Sequence, residues 1–274
     1  MSTQFLKVDD GSLAYDDTGR GPLVLCVPGM GDLRSEYRFL ASQLVAAGYR
    51  VVTMDVRGHG ESSPRWPDVS VGAVGSDMLA LIRELNAGPA VIIGNSMAGG
   101  AAVWAAAEAP ELVGSLVLVD PFVRGESSWQ YRLLFGVLFS RPWGPAMWLR
   151  YYKTLFPTRQ PADFAEYCAR LQANLKEPGR LESLVSMIKA SKYASEQRLP
   201  RVKAPTLVVM GSLDPDFKNP TFISPEAEAQ RVGDSLHAVV QMIDGAGHYP
   251  YTEMPDVTGP VIVSFLEKLR ETVR

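Results

Sequence analysis

The chain has 274 residues, 46% of hydrophobic type and 21% charged, and its Lys+Arg 27 against Asp+Glu 30 leave a formal net charge of -3. That balance excludes a disordered or fibrous chain, and the absence of a Lys/Arg block excludes nucleic acid as the main partner, because phosphate binding needs concentrated positive charge. The only cysteines, Cys26 and Cys168, stand far apart without CxxC or Cys/His spacing, which excludes a disulfide scaffold and a zinc site.

In chain order, residues 5–8 and 12–15 flank Asp9-Asp10-Gly11, good turn chemistry that predicts an antiparallel hairpin at a sheet edge. Continuous apolar runs follow at 23–27, 51–54, 90–93, 116–119, 206–210 and 238–242, as expected of strands covered on both faces. Between them, 36–47, 76–85, 98–109, 225–232 and 257–270 read as helices, several opened by Ser, Asp or Pro and closed by Gly or Pro. The alternation predicts an α/β fold with a mostly parallel twisted sheet flanked by helices. From Pro121 to about Pro200 no strand is apparent, which predicts a helical cap at 121–200 inserted into a core of 1–120 and 201–274. Aromatics crowd the cap's first half from Trp129 to Phe156; Trp129, Phe135 and Trp143 are candidates to line an apolar substrate pocket, the alternative being that they pack the cap onto the core. The polar N-terminus and the lack of any run near the ~20 apolar residues that span a bilayer predict a cytoplasmic chain without stable membrane insertion.

Chemistry concentrates after the 90–93 run. There Gly94-Asn95-Ser96-Met97-Ala98-Gly99-Gly100 leads directly into a helix-forming stretch, and a Ser squeezed between strand and helix by small residues is a nucleophile elbow. Small neighbours are needed because the turn is sharp and the helix must pass close to the sheet. On these residues the chain resembles the α/β-hydrolase fold family along nearly its whole length. Pro28-Gly29-Met30-Gly31 stands where that family keeps its oxyanion loop, so the resemblance implies that Met30 and Met97 donate backbone N–H groups to an oxyanion. Pro28 occupies the family's common His position, and Ala98 the last Gly of the usual Gly-x-Ser-x-Gly. Asp55-Val56-Arg57-Gly58-His59-Gly60-Glu61-Ser62 resembles the family's next structural turn, which makes His59 a satisfied loop residue.

A Ser at its free pKa is a weak nucleophile and needs an imidazole oriented by a carboxylate. Of the three histidines, His237 begins the last strand and reads as a surface residue, whereas His248 lies in the small-residue loop Gly245-Ala246-Gly247-His248-Tyr249-Pro250 and is the candidate base. Gly211-Ser212-Leu213-Asp214-Pro215-Asp216 resembles the family's acid loop and makes Asp214 the leading acid, with Asp120 and Asp216 as alternatives. The order Ser96, Asp214, His248 is the one this fold imposes. The expectation is a serine hydrolase of hydrophobic small-molecule esters that requires no metal or organic cofactor. Two alternatives remain: a carbon–carbon bond hydrolase of ring-cleavage products, whose elbow Gly94-Asn95-Ser96-Met97 resembles, and a ligand receptor on a hydrolase scaffold.

Overall fold

The computed structural model describes residues 2–9, 11–125, 129–218 and 223–272, with the backbone alone at 129–132 and 272. Eight strands form one sheet: β1 (Gln4–Val8), β2 (Gly11–Gly19), β3 (Leu23–Val27), β4 (Arg50–Met54), β5 (Ala90–Asn95), β6 (Val113–Val119), β7 (Thr206–Gly211) and β8 (Val239–Ile243). Their spatial order is β1-β2-β4-β3-β5-β6-β7-β8. The hairpin β1–β2 and its junction with β4 are antiparallel, and every pairing from β4 to β8 is parallel. Asp9 turns the hairpin with a left-handed backbone (φ 46°), whereas Asp10, also in the predicted turn, lies outside the described residues.

The helices are α1 (Arg38–Ala46), α2 (Val71–Leu85), α3 (Met97–Glu108), α4 (Trp129–Leu138), α5 (Gly144–Thr154), α6 (Phe164–Lys176), α7 (Arg180–Lys189), α8 (Tyr193–Glu196), α9 (Pro225–Leu236), α10 (Pro250–Glu253) and α11 (Pro255–Thr272). Between β6 and β7 the chain makes five helices, α4 to α8, and no strand among the described residues. Two helix starts differ from the predicted ones in ways that bear on packing. The helix read as 36–47 opens with a 3-10 turn at Arg34–Tyr37, and α2 begins at Val71 rather than at 76. Ser70 caps α2 by accepting from the Ala73 N–H at 3.2 Å. The early turn hides in the sequence behind Gly72 and Gly75, which are poor helix formers. At Gly75 a Cβ would stand 2.6 Å from Trp104 Cε3 and 2.9 Å from Ala101 O, so glycine there lets α2 lie close on α3.

Alternation along the central strands divides the core. Leu23, Leu25, Val27, Val208 and Met210 pack with α2, α3 and α9 on one face. On the other, Val24, Cys26, Val117, Leu207 and Val209 join α1, α11 and the helices α5 to α7 that lie between β6 and β7. Burial on both faces is why these strands read as unbroken apolar runs. The loops that leave the C-terminal ends of β3, β5, β6, β7 and β8 gather at one rim of the sheet, where ligand crevices of open α/β sheets form.

Candidate active site

At the end of β5 the chain turns through Ser96 with φ 56° and enters α3 at once. A left-handed backbone at a non-glycine residue costs about 1–3 kcal/mol and persists only where neighbours hold it. Here the Ser96 N–H donates to Val119 O at 2.9 Å, while its carbonyl accepts from the N–H groups of Gly99 and Phe122, both at 3.0 Å. Asn95 adds a link that its place in the motif does not announce. Its side-chain amide donates to Val119 O and to His248 O, each at 3.1 Å, and so joins the elbow to the histidine loop.

The 28–31 loop lies against the serine. A Cβ on Gly29 would stand 2.9 Å from Ser96 Cβ and 3.5 Å from its Oγ. Gly31 has φ 72°, and a Cβ there would stand 2.3 Å from Trp148 Cζ2. The Trp148 indole N–H donates to Gly31 O at 3.0 Å, which brings α5 down onto this loop. Met97 is buried and Met30 half-buried.

His248 and Asp214 come together as a buried pair, with Nδ1 2.6 Å from Asp214 Oδ2. The His248 N–H donates to Leu155 O at 3.0 Å. The preceding Gly247 N–H donates to Glu253 Oε2 at 2.6 Å, and Glu253 Oε1 accepts from Thr158 and Arg159 N–H groups. The histidine loop is thus anchored to the chain between α5 and α6. Asp214 Oδ1 is occupied by the Asp216 N–H at 2.9 Å. The two alternative acids lie close by: Asp216 Oδ2 is 4.0 Å from His248 Nδ1 and takes the Tyr151 hydroxyl at 2.6 Å. Asp120, itself left-handed at φ 43°, accepts from the Gly211 N–H at 2.9 Å.

Burial and charge set the protonation of this cluster. Burial alone would lower the basicity of His248, but the Asp214 charge and hydrogen bond, with smaller contributions from Asp216 and Asp120, outweigh it and raise the imidazole pKa. Burial and the Asp214 charge push the Asp120 pKa well above its ordinary value. Burial lifts Asp216 to about 6, with His248 and the Tyr151 hydroxyl opposing the rise. One ligand atom from each of Asp120, Asp214 and His248 lies within 4.8 Å of the others, spacing that could hold a cation. Several of their ligand atoms are already committed, however: His248 Nδ1 to Asp214, Asp214 Oδ1 to the Asp216 N–H and Asp120 Oδ1 to the Gly211 N–H. The cluster has the chemistry of an acid–base relay rather than of a divalent-metal cage, and Nδ1–H in its bond to Asp214 leaves Nε2 as the proton acceptor.

The remaining predicted residues are placed elsewhere. His59 is buried with Nδ1 3.1 Å from Arg57 O, burial lowers its pKa to about 4, and Nε2 has no protein partner, so it is only half satisfied. His237 is exposed at the C-terminal cap of α9, two residues before the strand it was read into. Phe135 is half-buried and begins an aromatic row through Phe139 (5.5 Å), then Trp148 (5.3 Å), then Tyr151 (5.2 Å between centroids). Trp143 is 50% exposed before α5, and its indole N–H donates to Val137 O, so it wedges the α4–α5 turn rather than extending that row. The Trp129 side chain lies outside the described residues. Sequence reasoning passed over Tyr151, Trp148 and Asp32, whose only signal was their place in an aromatic stretch or beside the Gly29 loop.

A strained Ser between a parallel strand and a helix, with a buried His–Asp pair on the loops after β7 and β8, defines the class of α/β proteins built around a sharp strand–Ser–helix elbow. The alpha/beta hydrolase family model matches residues 24–259, and the chain belongs to that family. It is 27% identical over 260 residues to the sn-1-specific diacylglycerol lipase ABHD11 of Mus musculus, covering 89% of this chain and 81% of that protein. It is 28% identical over 283 residues to a 2-hydroxy-6-oxononadienedioate/2-hydroxy-6-oxononatrienedioate hydrolase of Paraburkholderia xenovorans, covering 97% and 95%. Among solved structures, a thermophilic esterase from Thermogutta terrifontis superimposes with TM-score 0.78 at 23% identity, covering 98% of this chain and 99% of that one. No described helix is long and apolar enough to cross a membrane.

Proposed function

We propose that the protein is a serine hydrolase that cleaves carboxylic esters of hydrophobic small molecules through an acyl-enzyme on Ser96. The observation that carries this reading is the buried His248–Asp214 pair, 2.6 Å apart, on a loop that Asn95 ties to the Ser96 elbow. In the proposed cycle Ser96 Oγ attacks the ester carbonyl carbon while His248 Nε2 takes its proton. The oxyanion accepts from the Met30 and Met97 N–H groups, each such donor contributing about 3 kcal/mol to transition-state stabilisation. His248 then gives the proton to the departing alkoxide, and water, deprotonated by the same nitrogen, releases the acid and frees Ser96. Asp214 fixes the tautomer and stabilises the imidazolium. The helices α4 to α8 act as a cap, and Phe135 and the ring of Trp148 above Gly31 supply apolar surface for the acyl group. No metal or organic cofactor takes part in this cycle.

The diacylglycerol lipase and esterase relatives favour ester cleavage. The second reading, carbon–carbon bond hydrolysis of a vinylogous diketone, is favoured by the elbow Gly94-Asn95-Ser96-Met97 and by the Paraburkholderia relative that covers nearly the whole chain. Turnover of p-nitrophenyl esters from acetate to decanoate, compared between the wild type and Ser96→Ala, tests the reading. Rapid hydrolysis abolished in the variant supports it, with the chain-length optimum sizing the pocket. Negligible ester turnover with rapid cleavage of a vinylogous diketone transfers the assignment to the second reading.

A further inference from the structure

Behind the 28–31 loop lie two carboxyl groups that the proposed cycle does not use. Asp32 and Glu36 are both fully buried, and neither has a short ion pair; the Arg38 guanidinium stands 3.5 Å from Glu36 but gives its closest bonds, 2.6 and 2.8 Å, to Asp163. Their partners are tyrosines from three separate parts of the chain. Tyr167 of α6 donates its hydroxyl to Asp32 Oδ1. The Tyr152 hydroxyl of α5 lies 3.1 Å from Glu36 Oε2 and 3.4 Å from Asp32 Oδ2. Tyr249, next to His248, also directs its hydroxyl at Asp32. Asp32 in turn accepts the Leu33 N–H at 2.8 Å, and one residue earlier Trp148 holds Gly31 O. Thr252 of α10 closes the group by donating to Glu36 O at 3.0 Å.

Resting on the serine-hydrolase reading, we infer that Asp32 is a positioning residue: its carboxylate, gripped by Tyr152, Tyr167 and Tyr249, fixes the 28–31 loop so that the Met30 N–H points at the oxyanion, and it makes that alignment depend on docking of α5 and α6. Two carboxyl groups buried among neutral donors are an expensive way to fill space. A pair of apolar side chains would hold the helices down as well, whereas a hydrogen-bond acceptor fixes the direction of three hydroxyls and one backbone N–H at once. Burial lifts Asp32 only to about 6, because the tyrosine and Leu33 bonds oppose it, and lifts Glu36, beside the Asp32 charge, to about 8.

The test is steady-state hydrolysis of p-nitrophenyl butyrate, and the rate of Ser96 labelling by an alkyl fluorophosphonate, in the wild type, Asp32→Ala, Asp32→Asn, Tyr152→Phe and Tyr167→Phe. Each protein is assayed well below its own melting midpoint. Asp32→Ala is expected to lower kcat by up to about a hundredfold, less than or equal to the loss of one oxyanion donor, with KM changed less than about twofold. Asp32→Asn, of the same size and still able to accept the Leu33 N–H, should recover most of that loss. Each Tyr→Phe variant should lose kcat and labelling rate several-fold while its melting midpoint moves little. If Asp32→Ala fails to fold, the two Phe variants decide the matter. Unchanged kcat in the variants, or a loss confined to KM, overturns the inference while leaving Ser96 chemistry standing; an Asn variant as impaired as Ala assigns the effect to charge alone and also overturns it. A wild type that neither hydrolyses the ester nor is labelled at Ser96 overturns the serine-hydrolase reading, and the inference with it.

Discussion

Two groups of buried carboxyls flank Ser96, and they are neutralised in opposite ways. On the side of β6 and β7, Asp120, Asp214 and Asp216 surround an imidazole, and their combined field raises the basicity of His248. On the side of β3, Asp32 and Glu36 face tyrosine hydroxyls, and burial raises the pKa of both. A carboxylate beside a titratable cation tunes a base; a carboxylate beside neutral donors can only orient them. The difference separates residues that move protons from residues that hold the stage on which protons move, and substitutions on the two sides should differ in size and in kind.

The largest effects are expected on the imidazole side. Ser96→Ala and His248→Ala should each lower kcat by about 10⁴-fold or more with the circular dichroism spectrum unchanged, since either removes the unit that makes and breaks the acyl bond. Asp214→Asn should cost about 10⁴-fold as well, because the imidazole loses its fixed tautomer. It should also move the acidic limb of the kcat/KM–pH profile to lower pH, because the Asp214 charge and bond are what raise His248. Asp120→Asn sharpens the contrast. The amide is the size of the acid and can still accept the Gly211 N–H, and the loss should stay under about tenfold because no interaction confined to the transition state is removed. Near-normal rates in Asp214→Asn together with collapse in Asp120→Asn would reverse the acid assignment.

On the tyrosine side the effect is thermodynamic. The Glu36 pKa is raised from its ordinary 4.5 to about 8 in the folded state, so its stabilising contribution is fully present below about pH 4.5 and is lost as pH rises through 8. Arg38, Tyr152, Thr252 and Asp32 face this carboxyl, and only Arg38 opposes the rise with charge. Glu36→Gln lacks the ionisation. Its stability relative to wild type should therefore climb between pH 4.5 and 8, by at most about 1.4 kcal/mol per pH unit, and stay level outside that window. Chemical denaturation at pH 4.5, 6, 7 and 9 reads this directly; a flat difference would place the proton elsewhere in the cluster.

How much of this was written in the sequence follows the same division. The strands were readable because burial on both faces leaves unbroken apolar runs, and the Ser96 elbow because small residues must crowd a sharp strand-to-helix turn. Those are local constraints. The 2.6 Å approach of His248 to Asp214 could be anticipated only through loop positions in the fold, since 34 residues separate them in the chain. The Asp32 cluster was not legible at all. Asp32, Tyr152, Tyr167 and Tyr249 share no spacing or motif, and an aromatic-rich stretch gives no sign of which rings turn a hydroxyl toward a buried acid and which, like Trp143, half face solvent. The start of α2 was lost for the opposite reason: Gly72 and Gly75 weaken the local helix signal in favour of close contact with Trp104, a residue on another helix.

The smallest expected effect falls where the two sides meet. Tyr151 of α5, one residue before the tyrosine that bridges Asp32 and Glu36, reaches across to Asp216 and holds its carboxyl at 2.6 Å. That bond favours the ionised form of Asp216, whose pKa burial has otherwise raised to about 6, and ionised Asp216 is one of the charges that raise His248. In Tyr151→Phe the Asp216 pKa rises further, its charge is lost over a wider pH range, and the His248 pKa falls. The acidic limb of the kcat/KM–pH profile should therefore move to lower pH, by less than about one unit, with the plateau rate nearly kept. A limb that moves upward would mean that the hydroxyl acts on His248 by another route. A limb that stays fixed would mean that Asp216, though 4.0 Å away, contributes no charge to the base, and that α5 influences the reaction only through the loop at Gly31.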